Sequence, residues 1–322
     1  MTPKEFNDSI KHGDYKRVYL LYGEERYLVN HYAETLAATL GEPDNFDSSA
    51  SAASIIMAAE NLPFLTDMRL VRVRDSRLFS SGRKAESEAM AAYLPQIPDT
   101  TVLIFTESDV DRRGRLYKKT VELGGAVDCE TPSPQALATW LSRIFKDKGK
   151  TIDPAAANLL IRYAAHNMTT MTQEAGKLAA YTGQRPMVTT QDIEAICSPT
   201  LQTRVFDMIA AMANGRTTSA LDMYHNMLLM KEQPLMIMSM IIRQFRILLM
   251  VKAASDKHMP KSQMAKSLGL RGFILDEALS QSRRFNIEKL FKALCDCQDI
   301  DIKVKTGLIN AEIGVELLIL QY

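Results

Sequence analysis

Over residues 1–131 short apolar runs alternate with amphipathic stretches. Val18-Tyr19-Leu20-Leu21-Tyr22 is an unbroken β-prone run, the pattern of a strand buried on both faces. Residues 25–40 place Tyr27, Leu28, His31, Tyr32 and Leu36 at helical spacing, which predicts a helix with those side chains inward. A helix over 51–61 comes next, then an apolar corner, Leu62-Pro63-Phe64-Leu65, and a strand over 69–74. Residues 84–94 read as a helix and 101–105 as a second buried strand. A helix over 111–123 is closed by Gly124-Gly125, and a short strand follows over 126–129. Strands alternating with helices predict a mainly parallel sheet wrapped by helices.

Thr131-Pro132-Ser133-Pro134 is a cluster of breakers, and the chain beyond it reads as helical throughout. Residues 135–148 carry the stripe Leu137, Trp140, Leu141, Ile144, and Asp153-Pro154 supplies an N-cap and a first-turn proline for the next helix. Helices are expected over 171–181 and 190–196, and Ser198-Pro199-Thr200 marks a further boundary. From Val205 onward the pattern predicts five or six helices. The fold class is therefore α/β plus all-α, in three parts: 1–131, 132–200 and 201–322.

The composition is that of a globular protein, 46% hydrophobic and 24% charged, with a net charge of +1. Residues 1–200 carry three more acids than bases and 201–322 four more bases than acids, too mild an asymmetry to argue nucleic-acid binding. Four cysteines in 322 residues do not make a disulfide framework; Cys295 and Cys297 diverge on one helix and are both assigned buried structural roles. No cofactor or metal is expected. Of the 18 methionines, many fall within 208–250, where a flexible thioether fills gaps between packed helices. The polar N-terminus argues against a signal peptide, and charges at Arg243 and Arg246 argue against a membrane span over 235–251. A cytoplasmic protein with no membrane partner is expected.

The chemistry concentrates at Gly23-Glu24-Glu25, where the first strand turns into a helix. A phosphate loop would stand there, with several glycines, a lysine for the phosphates and a serine or threonine for magnesium. This chain has one glycine and two carboxylates. Each carboxylate suits the helix dipole but would repel a phosphate at 4 Å by about 4 kcal/mol at an effective dielectric near 20. The site is thus read as a degenerate nucleotide site that does not bind ATP. Asp75 and residues 106–109, at the ends of two strands, are read as turns and not as magnesium ligands. The corner Leu62-Pro63-Phe64-Leu65 is either a hydrophobic staple on its own domain or an exposed plug with Phe64 as anchor. Arg69, Arg72 and Arg74 beyond it either face a partner or form a solvated face.

Set in order along the chain, these residues resemble the delta subunit of the bacterial DNA polymerase III clamp loader. The resemblance runs from Leu21-Tyr22-Gly23-Glu24-Glu25 with Tyr27-Leu28, through Leu62-Pro63-Phe64 and Arg69-Leu70-Val71, to Asp111-Arg112-Arg113 with Leu116, Tyr117 and Lys118. It continues with residues 173–178 and Tyr181, then Val205-Phe206-Asp207 and Glu232-Gln233-Pro234. Arg243-Gln244-Phe245-Arg246, Lys252, and Asp301 with Lys305-Thr306-Gly307 and Glu316 complete it.

The resemblance implies an AAA+-like domain over 1–131, a helical lid over 132–200 and a helical collar for oligomerisation over 201–322. It implies a non-catalytic subunit that binds the sliding clamp (the beta subunit) and promotes opening of the ring. Its companions would be the gamma/tau ATPase subunits and delta-prime, with primed DNA inside the assembled loader. The clamp contact would fall on Pro63 and Phe64, flanked by Leu62 and Leu65. Two other classes remain open: an ATPase with an unusual nucleotide site, and a DNA-binding helical module.

Overall fold

The structure, a computed structural model, describes residues 1–63, 66–270 and 272–322. The chain divides into two compact units, Met1–Thr131 and Pro132–Tyr322.

In the first unit the elements run α1 (Pro3–Lys11), β1 (Val18–Tyr22), α2 (Arg26–Leu40), β2 (Asp44–Phe46), α3 (Ala52–Glu60), β3 (Arg69–Arg74), α4 (Lys84–Tyr93), β4 (Thr101–Glu107), α5 (Arg115–Glu122) and β5 (Ala126–Asp128). All five strands are parallel, in the order β2-β3-β4-β1-β5. β1 sits between β4 and β5, in register Val18↔Leu103 and Leu20↔Ala126, so each of its five residues is buried. Leu20, Val71, Val73, Leu103 and Phe105 form the core on one side with Ile55, Met90 and Leu116. Gly125 lets the chain re-enter the sheet, because a Cβ there would lie 1.8 Å from the carbonyl oxygen of Val18.

Several expectations are revised. Helix α1 stands outside the elements expected from the pattern, although Thr2-Pro3-Lys4-Glu5 forms a capping box that marks its start. It lays Phe6 against Tyr19 and Tyr32, with ring centroids 5.3 and 4.9 Å apart. Along α2 the buried stripe is Leu28, Val29, Tyr32, Ala33, Leu36 and Leu40. Tyr27 and His31 lie at its margin and stack on each other, one turn apart, with centroids at 5.9 Å. Helix α5 begins only at Arg115, since Gly114 interrupts the run from Asp111. Arg69, Arg72 and Arg74 do not form a face: Arg72 is buried and pairs with Glu34 at 2.6 Å, Arg69 pairs with Asp44, and Arg74 reaches the Asn45 side chain.

The second unit opens with α6 (Pro134–Asp147), β6 (Thr151–Ile152), α7 (Pro154–Tyr163), α8 (Met168–Tyr181), β7 (Met187–Val188) and α9 (Thr190–Ile196). The inward residues of α6 are Leu137, Leu141 and Phe145, while Trp140 and Ile144 are half-buried. The short strands β6 and β7 pair in parallel and bring Arg185 beside Asp192 of α9. Seven helices follow among the described residues: α10 (Leu201–Ala213), α11 (Thr217–Leu229), α12 (Pro234–Asp256), α13 (Lys261–Leu268), α14 (Gly272–Ser282), α15 (Ile287–Lys305) and α16 (Ala311–Gln321).

The core of this bundle is built on α12, whose Ile237, Ile241, Phe245, Leu248 and Val251 are all buried. Contrary to expectation, α12 is long and apolar enough by composition to cross a membrane. Its buried residues pack with α10, α14, α15 and α16, while Leu235 and Met236 in its first turn are exposed. Met208, Met212, Met227, Met238 and Met264 fill the same core. Cys297 is buried but Cys295 is exposed, because positions two apart on a helix cannot both face inward.

Candidate functional site

In an open parallel sheet, ligands bind beyond the carboxyl ends of the strands, where the strand order reverses. Here that place is the loop from β1 to α2, residues Gly23, Glu24 and Glu25. Gly23 has φ +131°, and a Cβ on it would lie 2.6 Å from the carbonyl oxygen of Cys129. Two backbone bonds hold this approach: Cys129 N–H donates to Tyr22 and Glu25 N–H donates to Cys129, at 2.6 and 3.0 Å. The glycine thus serves contact with the segment after β5.

Glu25 is buried at the N-cap of α2, and its carboxylate accepts from the Tyr27 N–H at 3.1 Å. A helix N-terminus offers its free N–H groups and positive dipole end to an anion. In this chain the protein's own carboxylate takes that position. Glu24 is exposed beside it. The Cys129 thiol is pushed up to about 12, first by burial and then by the charges of Asp128 and Glu25, the mark of a dry and electronegative corner.

The neighbouring strand ends are also occupied. Asp75, just past β3, adopts φ 46° and lies 3.6 Å from the Arg26 guanidinium, while the Ser108 hydroxyl donates to it at 3.1 Å. Glu107 belongs to β4 and not to a turn, and it is buried. It accepts from the Ser76 N–H and hydroxyl and from the Arg77 N–H, so it organises the turn after β3. Burial raises its pKa, partly opposed by the bonds from Ser76. Sequence reasoning missed this role, because Ser76 and Glu107 are joined only by the pairing of β3 with β4. Asp111, Arg112 and Arg113 gather at the same end of the sheet. Arg112 lies over the Tyr22 ring at 5.3 Å and pairs with Asp128, and Arg113 pairs with Asp111. Among the described residues no group of three or more His, Cys, Asp or Glu side chains is placed to hold a metal ion.

The second candidate lies at the opposite edge of the sheet, where the strands begin. Leu62 and Pro63 follow the end of α3 on the way to β3. Leu62 is 77% exposed, as is Met57 on α3 at 65%, while Pro63 is half-buried. Phe64 and Leu65 lie outside the described residues. The structure therefore separates the two sets of candidate residues, with Gly23, Glu24 and Glu25 at one edge of the sheet and Leu62 and Pro63 at the other.

A parallel sheet of this order, wrapped by helices, is that of an AAA+-like domain. Comparison with known proteins makes the class specific. Residues 19–130 match the profile of the DNA polymerase III delta subunit, and residues 202–322 match that of the C-terminal domain of the same subunit family. The DNA polymerase III subunit delta of Bacillus subtilis is 25% identical over 328 residues, spanning 97% of this chain and 94% of its own length. A probable DNA polymerase III subunit delta of Aquifex aeolicus is 19% identical over 294 residues, spanning 87% and 83%. The solved structure of a Bacillus subtilis DNA clamp loader delta protein superposes with a TM-score of 0.76 at 25% identity, covering 99% of this chain and 98% of its own. The chain belongs to the DNA polymerase III delta subunit family.

Proposed function

We propose that this chain is the clamp-binding, non-hydrolysing member of a bacterial clamp loader, acting in the cytoplasm. In this reading residues 1–131 form the clamp-binding domain, 132–200 the lid and 201–322 the collar that joins the other subunits. The corner Leu62-Pro63-Phe64-Leu65 grips one protomer of the sliding clamp. The gamma/tau subunits supply ATP hydrolysis, delta-prime completes the assembly, and primed DNA is its substrate. The observation that carries the clamp contact is the exposure of Leu62, an aliphatic side chain held out at the end of α3 immediately before Pro63 and Phe64. Pro63 limits the backbone freedom that binding must remove.

Burying Phe64 and one or two aliphatic neighbours gains roughly 2–5 kcal/mol, from about 1.5–3 per side chain. That is too little to tear a stable ring apart. The corner therefore acts by differential affinity: it binds the clamp edge better in a distorted state and holds the ring open. The carboxylate of Glu25 at the α2 N-terminus supports the absence of ATP chemistry from this subunit. The test is clamp binding and clamp unloading by Phe64→Ala and Leu62→Ser variants of the full chain. Clamp affinity is expected to fall at least tenfold for Phe64→Ala, with ring opening lost in parallel. Undiminished affinity and opening would assign the corner to the core of its own domain.

A further inference from the structure

The groove between α12 and α15 is used by neither candidate site. Its lining on α12 is Leu235, Met238, Ser239, Ile242, Arg243 and Arg246, one face at helical spacing, and α15 adds Asp301 and Lys305. The register of α12 sets this face. Phe245 is fully buried in the bundle core and the Gln244 amide donates to Gln281 at 2.8 Å, which leaves Arg243 and Arg246 outward, one turn apart. Both are exposed, and among the described residues neither pairs with a carboxylate. Lys305 is already held by Asp301 at 2.6 Å. Between the two free cations and this pair the groove has an apolar floor, with Met238 buried and Leu235 53% exposed. Arg243 and Arg246 stand more than fifty positions before Asp301 and Lys305 in the sequence, and they meet here.

We infer that this groove docks an acidic amphipathic segment of a neighbouring protein chain in the assembled loader, its carboxylates on Arg243 and Arg246 and its aliphatic side chains on Leu235 and Ile242. The inference rests on the clamp-loader reading above and names the chemistry that the neighbour must present. A nucleic-acid backbone fits less well. It would leave the apolar floor unused, whereas two unpaired guanidinium groups one turn apart match carboxylates one turn apart on a helix.

The experiment places a photo-crosslinking amino acid at Ser239, an exposed groove position, in the full chain. It is irradiated in a mixture of purified loader subunits, clamp and primed DNA. A cross-link is expected to a protein segment carrying at least two acidic residues within two helical turns. Arg243→Glu/Arg246→Glu is expected to weaken assembly at least tenfold while leaving the circular dichroism and the DNA affinity of the chain unchanged. A cross-link to DNA, or a charge reversal that weakens DNA binding and spares assembly, would overturn the inference. So would a wild-type chain that assembles while the Ser239 probe captures nothing and the reversed variant assembles equally well. Failure of the wild-type chain to assemble at all would instead overturn the clamp-loader reading, and the docking groove with it.

Discussion

Replacing Gly23 by alanine would force a Cβ to within 2.6 Å of the Cys129 carbonyl oxygen at a φ that side chains resist. Adding strain of about 1–3 kcal/mol to a similar overpacking cost gives a loss of roughly 2–6 kcal/mol. A thermal melt of Gly23→Ala should show it, and an unchanged melting temperature would mean the loop relaxes freely. Glu107 gives a pH-dependent case. Its folded-state pKa is raised above the ordinary 4.5, chiefly by burial, so its contribution is greatest at low pH and declines as pH rises through the folded value. Glu107→Gln keeps an acceptor for Ser76 and removes the buried charge, so its stability relative to wild type should increase between pH 4 and pH 8. Glu107→Ala leaves the Ser76 N–H and hydroxyl without that acceptor and should cost about 1–3 kcal/mol. Neither role was legible from the residues alone. The Gly23-Glu24-Glu25 stretch shows one glycine and two carboxylates where a phosphate loop would carry its lysine, but the reason for the glycine lies at Cys129, more than a hundred residues away.

The same division between local and distant causes runs through the elements. Strand β1, helix α6 and the Asp153-Pro154 start of α7 could be read from sequence because their signals are local: an unbroken β-prone run, an amphipathic stripe, a cap. The strands β2, β6 and β7 could not, since their two or three residues lack the buried apolar pair that marks the equally short β5 and exist only through a partner elsewhere in the chain. Helix α1 is different, because its capping box is present in the sequence, but with only Phe6 and Ile10 buried the segment is too polar for an apolar stripe to show. At the turn between β7 and α9, Asp192 accepts from Thr189 N–H at 2.9 Å and from Arg185, and its pKa is held down at about 2, first by the Arg185 bond. A depressed carboxylate adds stability above its unfolded value near 3.8 that is lost as pH falls toward 2. Asp192→Asn should therefore melt below wild type at pH 7, and the two melts should converge between pH 4 and pH 2. A difference that persists at pH 2 would assign the effect to packing and not to charge.

At the scale of the molecule, the family and the three-part reading came from many weak matches in order along the chain, while the proposed clamp contact depends on Leu62, exposed in a single unit, and its neighbours in sequence. That asymmetry yields a measurement. The two compact units, 1–131 and 132–322, are expected to give separable thermal transitions. A ligand that binds only the folded form stabilises it by about 2.7 kcal/mol at a hundred times its dissociation constant. For a unit of this size the corresponding rise in melting temperature is on the order of 10 °C. Saturating clamp should thus raise the transition of the first unit and leave the second where it was, and Phe64→Ala should abolish the shift. Magnesium-ATP should move neither transition, because the α2 N-terminus is already occupied by Glu25. A clamp-induced shift confined to the second unit would place the grip on the helical bundle and remove the Leu62–Leu65 corner from the mechanism.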